Sequence, residues 1–178
     1  MKPSIKVIGV PDDINSSFMR GSGAAPPLIR KALYSDSSNL FSESGLNLDK
    51  DGVWEDIGDI LLLGEGAVEN FKKIKSFVKG VINPNQRLIS LGGDHSISWP
   101  ILDAHLDVWS TLDILHIDAH PDLYDNLLDN KLSHASPFAR IMETGRVNRL
   151  VQVGIRTLNQ HQREQAEKFG VEIYEMRD

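Results

Sequence analysis

Five short β-rich runs recur along this chain: IKVIGV (residues 5–10), RLISL (87–91), DILHID (113–118), RLVQVGI (149–155) and VEIYEM (171–176). Several are apolar on consecutive positions, the pattern of strands covered on both faces. Helical patterns separate them. Ala67, Val68, Phe71, Ile74, Val78, Val81 and Ile82 recur at helix spacing and would lay one face on a sheet. SPFARIMETG offers Ser136 as N-cap, Pro137 at the first helical position and Gly145 as a stop. NQHQREQAEKFG offers Asn159 as cap, Gln162 three residues on and Gly170 at the end. Such alternation implies an α/β fold with a parallel sheet between helices. Ligands of such sheets bind beyond the carboxyl ends of the strands.

The strand ending in ILHIDAHPDLYD (114–125) carries Asp118, His120 and Asp122 at every second position. Side chains two apart on a strand point to one face, so the three polar groups would converge. A helix would turn His120 away from the carboxylates and bury Pro121 where it breaks the hydrogen-bond ladder. LGGDHSISWP follows the strand at 87–91, with Gly92 and Gly93 making a tight exit and His95 emerging at the same rim. His95, Asp118, His120 and Asp122 thus form a set of imidazoles and hard carboxylates without sulfur, which suits manganese, with iron, nickel or zinc as alternatives. Asp118 has two oxygens and lies between the others, so it is placed to bridge two ions about 3.5 to 4 Å apart. Alone, GGDH reads first as a turn with a surface histidine, and DAHPD reads equally as a helix entry capped by Asp118 or Asp122; their matching positions at two strand ends favour the metal.

The other histidines divide. His116 lies two residues before Asp118 on the same side of the strand and reads as a satisfied core histidine. His105 and His161 lie in helical contexts and read as surface residues. His134 sits in a loop before a capped helix, where an imidazole can shuttle protons or serve as an ordinary loop residue; Asn130 and Ser133 flank it. Asp94 is expected to orient its loop or a ligand by a hydrogen bond. The carboxylates of DKD (49–51) lie in the polar excursion 35–52 and read as solvated surface.

Composition narrows the partners. With 178 residues and 40% hydrophobic content, the chain is expected to form one domain over 1–178. A net charge of −6 and no long Lys/Arg run argue against nucleic acid or an anionic membrane and leave a small molecule. The absence of cysteine excludes thiolate metal sites and disulfides. No apolar run reaches the length of a signal peptide or membrane span, and the expected location is cytoplasmic. NSS at Asn15 matches a glycosylation acceptor by chance. A nucleotide-binding domain fits the sheet but would need a phosphate-cradling Gly-rich turn after the first strand, which the sequence lacks.

GGDHS, DAHPD, SHASPFARI and VGIR, in that order, resemble the ureohydrolase family of arginases, agmatinases and related amidinohydrolases. NSSFMRG, APPLIRKALY, LGGDHSISWP, NKLSHASPFARIM and REQAEKFGVEIYEMR resemble its plant-type arginase branch, from about Lys6 onward. The resemblance implies a three-layer α/β/α sandwich around a mainly parallel sheet, trimeric or hexameric assembly, and two Mn(2+) ions. It assigns His95 and Asp122 to one ion, His120 to the other and Asp118 to both. It implies water-driven hydrolysis of a guanidinium substrate to urea and an amine, L-arginine first and agmatine second. It gives His134 the proton shuttle and places Asn130 and Ser133 in a loop that reads the substrate's α-amino acid end.

One departure matters. The family completes its site with a later Asp-x-Asp pair and a Glu, which are not found here, and two octahedral ions want about six donors each. The chain ends at YEMRD directly after a strand, so the expected fold is an arginase-like domain lacking its carboxy-terminal part, with an open sheet edge. A noncatalytic protein with an incomplete metal site is the competing expectation.

Overall fold

The computed structural model describes residues 4–50, 52 and 54–177. In chain order it contains β1 (Ser4–Val10), α1 (Ala25–Leu33), β2 (Trp54–Asp59), α2 (Ala67–Val81), β3 (Gln86–Gly92), α3 (Ser98–Leu106), β4 (Leu112–Ile117), α4 (Pro137–Met142), β5 (Val147–Ile155), α5 (Gln160–Phe169) and β6 (Glu172–Glu175). All five expected strands form. Two elements were not foreseen: β2, whose sequence WEDIGD is too polar to read as a strand, and α1, which begins APP.

Every strand pairing is parallel, as strand–helix alternation requires. The strands form two three-stranded sheets, β2-β1-β3 and β4-β5-β6. Among the described residues β3 and β4 each pair on one side only. The open edges therefore include β3 and β4 as well as β2 and β6.

Alternation along β1 decides how the first sheet is covered. Ile8 and Val10 point to one face and join Ile74 and Val78 of α2 with Ile60, Ile97 and Ala104 in a closed core. Ile5 and Val7 point the other way, toward Ile29 and Leu33 of α1. Helix α2 buries Phe71, Ile74 and Val78 as its spacing demands, although Val68, on the same expected stripe, stays exposed. The second sheet packs Leu150 against Phe138 and Ile141 of α4, Ala166 of α5 and Leu106 of α3. Its opposite face is uncovered among the described residues: Leu115 and Ile117 are 65% and 75% exposed. The third layer of the sandwich is thus present over the first sheet only.

The helix signals mostly hold. Asn159 accepts from the Gln162 backbone N–H at 2.9 Å, and Gly170 ends α5 at φ 67. Gln162 does not return the bond; its Oε1 accepts from Leu123 N. Ser136 precedes Pro137 as expected but makes no capping bond, and its buried hydroxyl has no protein partner among the described residues. Residues 35–50 form turns and one isolated bridge, Phe41 to Asn47. Asp49 is exposed there, while Asp51 of the same DKD lies outside the described residues.

Candidate metal centre

Four chain segments meet at the carboxyl ends of β1, β3, β4 and β5. Gly93 N donates to Val10 O and Asp94 N to Asp12 O, stitching the exits of β1 and β3 together. A Cβ on Gly93 would lie 1.9 Å from Asp12 O, so only glycine permits the approach. Asp94 then acts as expected, orienting the loop: its Oδ2 accepts from Asn15 N and Ser16 Oγ, its Oδ1 from Ser96 N. Asp118 N donates to Val153 O and Arg156 N to Ala119 O, which ties the exit of β4 to that of β5.

His95 and the acids do meet. His95 Nδ1 lies 2.6 Å from Asp122 Oδ2 and 3.9 Å from Asp118 Oδ2. His120 Nδ1 is 3.5 Å from Asp118 Oδ1, which also accepts the His120 N–H at 2.9 Å. The expected mechanism of convergence needs one correction. Strand β4 ends at Ile117, so strand alternation does not carry Asp118, His120 and Asp122 to one face. A turn does: Asp122 adopts φ 47, a left-handed conformation that Asp tolerates better than most residues, and its carboxylate folds back to His95. His120 remains the outermost member, its side chain 62% exposed.

The electrostatics suit a cation. Burial opposes charge on His95, but the bond to Asp122 and the charges of Asp122, Asp118 and Asp94 outweigh it and raise its pKa above the ordinary value. Burial would raise the Asp118 carboxyl; the His120 N–H and the neighbouring imidazoles overcome this and hold it below the ordinary range. His116, buried behind them, is pushed down to about 4, first by burial and then by repulsion from His95. His95 Nδ1 and Asp122 Oδ2 meet through atoms that would serve as ligands, so a divalent ion held there would compete with a proton. Two imidazoles and two carboxylates, with no sulfur, match the donors such an ion prefers.

His116 needs separate treatment. It is buried, as a core histidine should be, but one ligand atom each from His95, His116 and Asp118 lie within 4.8 Å of one another. His116 Nε2 is 3.6 Å from Asp118 Oδ2 and has no hydrogen-bond partner among the described residues.

A cleft of about 780 Å³ opens over the four residues, also lined by Tyr124, Leu127, His134, Arg156 and Asn159. His134 reaches it from the loop before α4, with Nδ1 3.1 Å from the Asn15 carbonyl oxygen. Asn130 and Ser133 do not line it. Asn130 donates to Asn15 Oδ1 and accepts from Leu132 N, and the buried Ser133 hydroxyl accepts from Ala135 N. His105 and His161 are more engaged than surface residues: His105 bonds Ile101 O and stacks on Trp109, and His161 pairs with Asp125 and stacks on Tyr124. Arg156 had a usable signal, since it stands one residue past a strand that ends at the same rim. Asn15 and Gln152 had none, because their roles depend on partners distant in sequence.

Histidines and carboxylates gathered at the strand ends of parallel α/β sheets make a group that could hold a divalent cation. Sequence comparison makes this specific: residues 3–178 match the Arginase family, and the chain belongs to it. It is 46% identical to a protein named Arginase 1, mitochondrial, from Arabidopsis thaliana, over 99% of this chain and 54% of that protein. It is 35% identical to a formimidoylglutamase of Halalkalibacterium halodurans, over 97% of this chain and 55% of that protein. The solved arginase of Medicago truncatula superimposes with a TM-score of 0.92 at 44% identity, covering 99% of this chain and 57% of that one. The chain spans about half the length of the curated relatives it matches. No described helix is long and apolar enough to cross a membrane.

Proposed function

We propose that this chain serves metal-dependent hydrolysis of a guanidinium substrate, L-arginine to L-ornithine and urea, with agmatine to putrescine and urea as the alternative. The observation that carries the reading is the approach of His95 to both Asp118 and Asp122 across two separate loops. In this reading His95 and Asp122 would hold one manganese ion, His120 a second and Asp118 both. Bound there, the ions would lower the pKa of water toward neutrality.

The remaining residues handle substrate and protons. His134 lines the cleft and is placed to carry a proton to the departing amine. Its Nδ1 faces the Asn15 carbonyl, an acceptor only, so Nδ1 carries the proton and Nε2 is free to exchange one. Asn130 and Ser133 contribute by holding this loop, since the amide and hydroxyl expected to read the substrate are occupied within it. Arginine is favoured over agmatine by the 46% identity to a plant arginase. Trimeric or hexameric assembly and a cytoplasmic location stay with this proposal, the latter against the mitochondrial names of plant relatives.

The test measures manganese binding by calorimetry and urea release from arginine and agmatine, for this chain and for a form extended to the relatives' length. Asp118→Asn should abolish both binding and release. Full retention of either in that variant refutes the metal reading, and failure of the extended form to release urea supports a noncatalytic role.

A further inference from the structure

We infer that His116 is a positioning residue for the metal centre: its Nε2–H points at Asp118 and fixes that carboxylate, and His116 is not itself a ligand. This rests on the metal reading proposed above but follows from a different observation, the hydrogen-bond chain behind the site.

The chain begins at Gln152, which pairs with His116 in the β4–β5 register and is wholly buried. Gln152 Nε2 donates to Pro121 O at 2.6 Å and lies 3.0 Å from His116 Nδ1. A carbonyl oxygen only accepts, so the Pro121 contact fixes which end of the Gln152 amide is nitrogen. An amide nitrogen only donates, so His116 Nδ1 must accept. A ring that accepts at Nδ1 is not doubly protonated, and its single proton sits on Nε2.

That proton is aimed into the site. Nε2 is buried, has no hydrogen-bond partner among the described residues, and faces Asp118 Oδ2 at 3.6 Å. A nitrogen bearing a proton has no lone pair for a cation. The cluster of His95, His116 and Asp118 therefore divides into two ligating groups and one donor. Asp118 Oδ1 accepts the His120 N–H, and Oδ2 faces the His116 Nε2–H across 3.6 Å, a charge–dipole contact longer than a hydrogen bond that favours this orientation of the carboxylate. Phe138 packs on the His116 ring, with centroids 4.0 Å apart, and restrains it from turning.

The test is nitrogen-15 NMR of the imidazoles in the 178-residue chain, without metal and with Zn(2+) as a diamagnetic probe. His116 should show a protonated Nε2 and an unprotonated Nδ1, and should keep the Nε2 proton when His95 and His120 respond to zinc. Gln152→Glu, whose carboxylate accepts rather than donates, should move the proton to Nδ1 and weaken zinc binding about 10- to 100-fold. A wild-type proton on Nδ1, or loss of the Nε2 proton on adding zinc, overturns the inference and leaves the metal reading intact. So does unchanged affinity in a folded Gln152→Glu variant. No response of His95 and His120 to zinc overturns the metal reading, and with it the need for a positioned Asp118. Should the variant not fold, the wild-type spectra decide alone.

Discussion

The main-chain oxygen of Asn15 lies 3.1 Å from His134 Nδ1, joining residues 119 positions apart. The same asparagine donates to Ser96 Oγ and accepts from Asn130 Nδ2, so one buried residue ties the loop after β1 to the loops after β3 and β4. Burial of this amide also explains why the NSS match carries no glycosylation meaning. Asn15→Ala leaves Ser96 and Asn130 without these partners and should cost about 1–3 kcal/mol. Urea denaturation measures it; a loss within about 0.5 kcal/mol of zero would show that the loops hold without the hub.

Gly92 and Gly93 make a paired comparison. A Cβ at Gly93 meets main-chain atoms of Asp12, its oxygen at 1.9 Å and its carbonyl carbon at 2.7 Å, and backbone tied by hydrogen bonds at the exits of two parallel strands cannot yield cheaply. A Cβ at Gly92 meets only the Ile97 side chain, closest at its flexible tip Cδ1, 2.6 Å away. Gly93→Ala should destabilise by about 3 kcal/mol or more and displace His95, whereas Gly92→Ala should cost about 1–2 kcal/mol. Chemical denaturation of both variants, with metal affinity alongside, checks the order; equal costs would contradict the close approach.

What was legible in the sequence was local. The strands announced themselves through consecutive apolar residues, and the ligands through short motifs placed just past strand ends. Strand β2 was hidden because its acids serve Arg30 rather than solvent: Arg30 Nε bonds Asp56 Oδ2 at 2.6 Å and its Nη1 bonds Asp59. The division into two sheets was hidden because strand order depends on pairings between distant segments. The turn at Asp122 and the tautomer of His116 were hidden for the same reason, since both are fixed by groups on other strands and loops.

The Arg30 cluster predicts a pH dependence. Bonds from Arg30 hold the Asp56 carboxyl below its ordinary value of 3.8, against burial, with the Gly58 N–H assisting. A carboxylate whose folded pKa is depressed adds stability that is complete above the unfolded pKa and disappears as pH falls through the folded one. Thermal stability should thus drop more steeply below about pH 4 in the wild type than in Asp56→Asn, which has no such proton to take up. The variant should be less stable at pH 7 by about 1–3 kcal/mol, since Arg30 is mostly buried and loses a two-point partner. Parallel acid profiles in the two proteins would assign the stability elsewhere.

Strand β4 predicts how the isolated chain behaves at concentration. It pairs with β5 on one side only among the described residues, and its uncovered face presents Leu115 and Ile117. Among the described residues strand β3 likewise pairs only with β1 and leaves Ile89 48% exposed. Free strand edges beside apolar side chains are templates for association. Sedimentation velocity should therefore show concentration-dependent association of the 178-residue chain. Leu115→Lys with Ile117→Lys should shift it toward monomer, because charge on an edge strand opposes pairing. These side chains contribute little to the core, so far-UV circular dichroism should be unchanged. Association that persists undiminished in the folded double variant would place the contact on another surface.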